Sequence, residues 1–198
     1  MSLIPTFEIG IWNAWIFILA GLFFHAVPPM ITTQFNTNLK NKFSEAPADV
    51  YLNKTERRIN TFEVALLILL FIYSVFLPLQ LGTPWFYTGL AIFLLAVIVY
   101  MTLLVPWAAT PPDEPVTTGL YRYSRHPIYL TILVQLIGLG IASASWVFLL
   151  ITIIFIITMN RSVIPEERGC LEKYGNAYRK YMDRTPRWIG IPKSGIIY

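Results

Sequence analysis

The sequence predicts an all-α fold, a polytopic integral membrane protein with five transmembrane helices and a C-terminal amphipathic helix on the cytosolic surface. Three observations predict it. Only 13% of the 198 residues are charged and 56% are hydrophobic, whereas an ordinary soluble domain carries about 25% charged residues. The apolar residues gather in runs suited to a bilayer core about 30 Å thick. The 15 Lys and Arg sort to alternate connections between those runs. The length accommodates one membrane domain and little else.

The first span is expected over Ile9–Val27, stopping at Pro28-Pro29, and it is too long for the apolar core of a cleavable signal peptide. The second and third are expected over Val64–Leu79 and Tyr87–Val105, each closed or followed by proline. From Pro127 to Pro165 the chain is almost uncharged, interrupted by the small-residue stretch "GLGIASAS" that suits a tight turn. This reads as a helical hairpin of Ile128–Ile141 and Trp146–Ile164. Its first arm is short for a bilayer, so a single tilted helix plus a re-entrant segment is the competing topology. In the tail, "PEERGCLEKYGNAYRKYMD" repeats Leu171, Tyr174, Tyr178 and Tyr181 at helical spacing, as an amphipathic surface helix would.

Charge orients the spans, because loops rich in Lys and Arg stay cytosolic. Lys40, Lys42, Lys54, Arg57 and Arg58 lie in the first loop, Arg122 and Arg125 in the third, and Arg161 through Lys193 at the C-terminal end. The second loop and the hairpin turn hold none. The expected N-terminus is therefore outside and the C-terminus cytosolic, in a prokaryotic plasma membrane or, in a eukaryote, the endoplasmic reticulum. Trp12, Trp15, Trp85 and Trp146 then form an outer interfacial belt and Trp107 an inner one. Cytosolic placement makes the glycosylation sequon at Asn53 coincidental. A single cysteine, Cys170, excludes an internal disulfide. With only two histidines, no metal site is expected, and no nucleic-acid partner is expected.

The stretch "TGLYRYSRHPIYLTILVQ" places a cationic-aromatic cluster at the threshold of the hairpin. A hairpin brings its two feet together, so Arg125, His126 and Tyr129 should meet Glu166 and Glu167 at the cytosolic membrane face. Both signs of charge suit a zwitterionic amino-acid moiety: guanidinium or imidazole holds a carboxylate, and a glutamate holds an ammonium or a ribose diol. An amino-acid-bearing cofactor fits this better than a nucleoside triphosphate. Blander roles exist for the same residues. Arg122 is an ordinary headgroup anchor among membrane lipids. Pro165-Glu166-Glu167 is a good helix start, with acids in the first turn. His25 has no acidic neighbour in sequence and reads as an interfacial residue. Arg161, in the last turn of a span, is either functional or snorkelling.

These residues resemble the isoprenylcysteine carboxyl methyltransferases and their membrane methyltransferase relatives, in particular the compact prokaryotic and archaeal members. That family carries Arg-His-Pro-x-Tyr-x-Gly, a hydrophobic hairpin, a Glu-Glu pair, and a tyrosine-rich segment ending in Pro-Arg. Here stand Thr118-Gly119-Leu120-Tyr121, Arg125-His126-Pro127-Ile128-Tyr129, Glu166-Glu167, Tyr174-Gly175, Tyr178, Tyr181 and Pro186-Arg187. The resemblance covers Val116–Pro192. The motif's closing glycine is Thr131 in this chain, which changes the pocket on the acceptor side if that glycine serves close approach.

The resemblance implies one methyltransferase domain, with residues 1–110 a three-span scaffold and 111–198 the cofactor-binding part. It implies S-adenosyl-L-methionine as cofactor and S-adenosyl-L-homocysteine as product. By position Val116, Gly119, Tyr121, Arg125, His126, Pro127, Ile128, Tyr129, Glu166 and Glu167 would line the cofactor. The acceptor would be a lipophilic substrate entering from the bilayer, foremost the α-carboxylate of a prenylated cysteine. Such a carboxylate is already anionic near neutral pH, so alignment rather than a base is needed, and Arg161 or Arg187 is the expected orienting residue. Methylation of a phospholipid amine or another small molecule would instead need a base. An NADPH-dependent sterol-type reductase and a non-enzymatic lipid-binding or transport protein are the readings from other classes.

Overall fold

The computed structural model describes residues 8–37, 40 and 52–192. Among these are six α-helices and no strand: α1 Trp15–Phe35, α2 Lys54–Val75, α3 Pro84–Ala109, α4 Pro127–Ala142, α5 Trp146–Tyr174 and α6 Asn176–Arg184, with a 3-10 turn at Gly119–Arg122 before α4. Four of them, α1, α2, α3 and α5, are long and apolar enough to cross a membrane. The fifth apolar helix, α4, has 16 residues, about 24 Å at helical rise, and falls short of a full bilayer core.

Hydrogen bonds between helix ends sort them onto two faces. On one, the Ala14 amide donates to the Leu77 carbonyl and the Leu79 amide to that of Trp12, while the Asn13 side chain donates to the Val75 carbonyl. The Gln80 amide donates to the Ala142 carbonyl on the same face. On the other, the Asn36 amide group donates to the Ala108 carbonyl, and Arg168 forms a two-pronged pair with Glu56. Successive helices thus alternate direction. The buried core of the bundle runs through Phe17, Leu70, Phe93, Leu139, Phe148 and Met159. Outward residues are apolar as well: Leu95 and Ile98 are each 61% exposed and Ile157 65%, as lipid-facing positions require. A second cluster of Leu103, Tyr121, Tyr178 and Tyr181 caps the cationic face.

Several expected boundaries are corrected. α1 begins at Trp15, not Ile9, because residues 12–14 bond to the segment after α2. It continues through Pro28 and Pro29 to Phe35; the His25 carbonyl, which Pro29 leaves without its helical N–H partner, accepts from the Tyr100 hydroxyl of α3 at 3.2 Å, the kind of repair by a neighbouring helix that lets proline sit inside such helices. α2 starts ten residues before the expected Val64, where Asn53 and Glu56 form a reciprocal capping box. α3 likewise passes Pro106. The largest difference is at Pro165, which starts no new helix. α5 runs unbroken through it to Tyr174, since one missing N–H is outweighed by ion pairs that Glu167 and Arg168 make just beyond. The tail helix is therefore split: its first half belongs to α5, and Gly175, at φ +54°, turns the chain into α6.

Candidate functional site

The loop before α4 and the segment after α6 are strapped together, and that strap positions the site. The Arg125 amide donates to the Pro186 carbonyl at 3.0 Å and the Gly190 amide to the Tyr123 carbonyl at 3.1 Å. The Ser124 hydroxyl donates to the Arg187 carbonyl at 3.2 Å and accepts from the His126 amide at 3.1 Å. Beneath them the buried Tyr181 hydroxyl donates to the Tyr121 carbonyl at 2.8 Å, and the Trp107 indole N–H donates to the Tyr121 hydroxyl. Burial pushes the Tyr121 and Tyr181 phenols well above the ordinary tyrosine range, so both stay protonated.

Glu167 is the hub. Only 4% exposed, its carboxylate accepts two hydrogen bonds from Arg187, Nε to Oε1 at 3.1 Å and Nη2 to Oε2 at 2.7 Å. His126 Nε2 lies 3.1 Å from Oε1, and Arg125 Nη1 lies 3.2 Å from the same oxygen. The paired carboxylate raises the Arg187 guanidinium pKa further above its ordinary value. Arg125 is held differently: at ion-pair distance, its Nη1–H does not point at Glu167, and both Nε and Nη1 are buried without a hydrogen-bond partner. A buried guanidinium with unused N–H groups is a ready receptor for a ligand carboxylate. Beside it Glu166, its side chain 47% exposed, accepts from the Tyr129 hydroxyl at 2.9 Å and lies 3.8 Å from His126 Nδ1. The His126 ring is flanked by Tyr129 and Trp188 at centroid distances of 5.7 and 5.9 Å.

The hairpin thus brings Arg125, His126, Pro127, Tyr129, Glu166 and Glu167 together, and the tail adds Arg187. Val116, Tyr121 and Ile128 lie one layer away, packed in the tyrosine cluster. Gly119 is exposed at φ +63°, against Pro106. Arg161 stands apart: exposed, it borders a small recess between α2 and α5 with Glu56, Asn60, Ser162 and Pro165. Neither glutamate caps a helix start, because the helix begins twenty residues earlier. Thr131 is buried and its hydroxyl donates to the Ile128 carbonyl at 2.7 Å, so the helix satisfies it internally. His25 meets Gln135 at 3.2 Å and lies against the Tyr100 ring at a tilt of 57°. Ser124 and Trp188, unremarked in the sequence, are structural partners of the strap; Trp188 donates to the Asn160 side chain at 3.0 Å.

Residues 109–177 match the family described as phospholipid methyltransferase, which spans α4, α5 and both glutamates. Over that stretch the chain is similar to the membrane methyltransferases, to which the isoprenylcysteine carboxyl methyltransferases are akin. It is also similar to methanethiol S-methyltransferase 1 of Bradyrhizobium diazoefficiens, 35% identical over 87 residues, or 43% of this chain and 29% of that protein. This chain therefore aligns with less than a third of that relative's length. No solved structure matches it. With the matched stretch and the four long apolar helices in agreement, this is a membrane protein.

Proposed function

We propose that this protein transfers a methyl group from S-adenosyl-L-methionine to a lipophilic acceptor at the cytosolic membrane face. The observation that carries the reading is the pair of unequal anchors at the hairpin's feet: a buried Arg125 with unused N–H groups and, next to it, a half-exposed Glu166 oriented by Tyr129. Arg125 would hold the cofactor's carboxylate, and Glu166 its ammonium or a ribose diol. Glu167 serves as the fixed counter-charge that keeps Arg125, His126 and Arg187 in register. The strap of residues 186–190 excludes water over His126, and Arg187 is better placed than Arg161 to orient an acceptor near these anchors. When bound, the cofactor supplies an electrophilic methyl on a sulfonium sulfur. The chain's contribution is alignment and dehydration, which in well-oriented systems lowers a barrier by about 7–11 kcal/mol.

The acceptor follows from two supports of different kinds. Resemblance to the isoprenylcysteine enzymes favours a prenylcysteine carboxylate, and the relative named for methanethiol favours a thiol. The test uses purified protein reconstituted in lipid. It should bind S-adenosyl-L-homocysteine saturably, and Arg125→Gln and Glu166→Gln should each weaken that binding with NADPH having no effect. Saturable NADPH binding without S-adenosyl-L-homocysteine binding would sink the methyltransferase reading. Base-labile release of labelled methanol marks a carboxyl ester, whereas N- and S-methyl products retain their label.

A further inference from the structure

Glu63 is a carboxylate inside the membrane bundle that the cofactor site does not use. It lies on α2, ten residues into the helix, and is only 8% exposed. The Ser162 hydroxyl of α5 donates to its Oε2 at 2.5 Å, and Thr158, whose hydroxyl donates to the Phe155 carbonyl, lies against the same carboxylate. Its other oxygen, Oε1, is buried and has no hydrogen-bond partner. An ionisable group at such depth is expensive and needs a reason.

The reason lies in how α5 is patterned. Thr158, Ser162 and Glu166 stand four residues apart, so they form one stripe along the helix. At about 1.5 Å per residue, Ser162 is about 6 Å and Thr158 about 12 Å deeper than Glu166. The stripe runs from Glu63 in the α2–α5 seam to Glu166 in the cofactor site. Tyr129 donates to Glu166 at the upper end of that stripe. Phe62, next to Glu63 on α2, and Ile154 and Ile157 on α5 are all exposed, as residues facing lipid would be. An acceptor held between this seam and a cofactor bound at Glu166 would lie against Glu63 on its deeper side.

We propose that Glu63 is the acceptor-side proton acceptor, and that the acceptor is a lipophilic thiol or amine rather than a carboxylate. This rests on the methyltransferase reading above. A carboxylate acceptor would meet a second carboxylate in a low-dielectric seam, where like charges repel. A thiol or ammonium presents a hydrogen to the unpartnered Oε1. In the transfer, the acceptor's S–H or N–H bond breaks and the electron pair left on sulfur or nitrogen forms the bond to the methyl carbon. The bond between that carbon and the sulfonium sulfur breaks, its pair staying on the donor sulfur as a thioether. The released proton ends on Glu63 Oε1. Atoms and charge balance, with no further reactant.

The test compares wild type, Glu63→Gln and Glu63→Asp in lipid vesicles. Calorimetric binding of S-adenosyl-L-homocysteine is measured beside single-turnover methylation of dodecanethiol, dodecylamine and S-farnesylcysteine. S-adenosyl-L-homocysteine affinity should be the same in all three proteins, which also reports that they are folded. Wild type should methylate the thiol or the amine. Glu63→Gln, which keeps the size and can still accept from Ser162, should slow that transfer by about 100-fold or more, and Glu63→Asp should recover part of it. Transfer confined to the farnesylcysteine carboxylate, or wild-type rates in Glu63→Gln, overturns the assignment and leaves Glu63 a structural clamp. Failure of wild type to bind S-adenosyl-L-homocysteine overturns the methyltransferase reading itself, so the two failures are distinct.

Discussion

At the scale of single residues, Glu166 and Glu167 are neighbours in sequence with opposite duties. Glu167 is buried among Arg125, His126 and Arg187, which come from the loop before α4 and the segment after α6. Removing one member of a buried charge cluster leaves its partners desolvated and uncompensated, typically at about 3–5 kcal/mol. Glu167→Gln sets two guanidiniums beside each other without a counter-charge. Because Arg187's side chain remains 34% exposed, solvent screens part of that cost and the lower end applies. Tyr129→Phe removes only the hydrogen bond to Glu166, worth about 0.5–1.5 kcal/mol. Thermal unfolding in lipid should therefore show a large loss for Glu167→Gln and a small one for Tyr129→Phe, while Tyr129→Phe still weakens homocysteine binding. Equal stability of the two variants would show that Glu167 does not organise the site.

At the scale of elements, the position of α4 depends on a contact with α3 that admits no side chain. A Cβ added at Gly89 would stand 2.3 Å from both the Gly138 carbonyl oxygen and the Ala142 amide nitrogen; one at Gly138 would stand 2.8 Å from the Gly89 carbonyl oxygen. Backbone against backbone leaves nothing to move aside, as in the small-residue interfaces of other membrane helices. Gly89→Ala should push α4 away from α3, lowering folded yield and displacing His126 and Tyr129 at its first turn. Gly82→Ala has open space around it and only a left-handed φ of +75° to accommodate, a cost of about 1–2 kcal/mol. Melting and homocysteine binding should separate the pair, and parity between them would refute the contact. This contact was not legible in the sequence, where Gly89 is one small residue inside an apolar run. The meeting of Arg125 and His126 with Glu166 and Glu167 was legible, because a short turn forces a hairpin's feet together whatever its packing. Arg161 was harder. Six residues before Glu167, it lies well round the helix from it at 100° per residue and reaches the α2 side instead. Glu63 was hidden by placing the second span at Val64, although the Asn53 and Glu56 capping pair that starts α2 far earlier is written in the sequence. Pro165 misled for a related reason: local chemistry announced a helix start, and ion pairs to distant segments overrode it.

At the scale of the whole molecule, the two faces differ in charge, and this predicts the side from which a cofactor would come. The face joining the start of α1, the end of α2 and the end of α4 holds the connection Phe76–Thr83 and the turn at Ser143–Ser145, without a Lys or Arg in either. Lys54, Arg57, Arg58, Arg125, Arg168 and Arg187 stand at the other, with the candidate site between them. Bundles of this kind retain their basic face in the cytosol, where an S-adenosyl cofactor would be available, so orientation and function make one joint prediction. In a Cys170→Ser background, Leu81→Cys puts a thiol at a position 48% exposed on the uncharged face, and Arg179→Cys puts one on the exposed side of α6. A membrane-impermeant maleimide applied to intact cells should label Leu81→Cys and spare Arg179→Cys until the membrane is opened. The reverse pattern would set Arg125, Glu166 and Glu167 outside, where their charges would have to serve some ligand other than a cytosolic methyl donor. Labelling of both in intact cells would contradict the alternating bundle itself, since the helix-end hydrogen bonds separate residue 81 from α6 by the full length of α5.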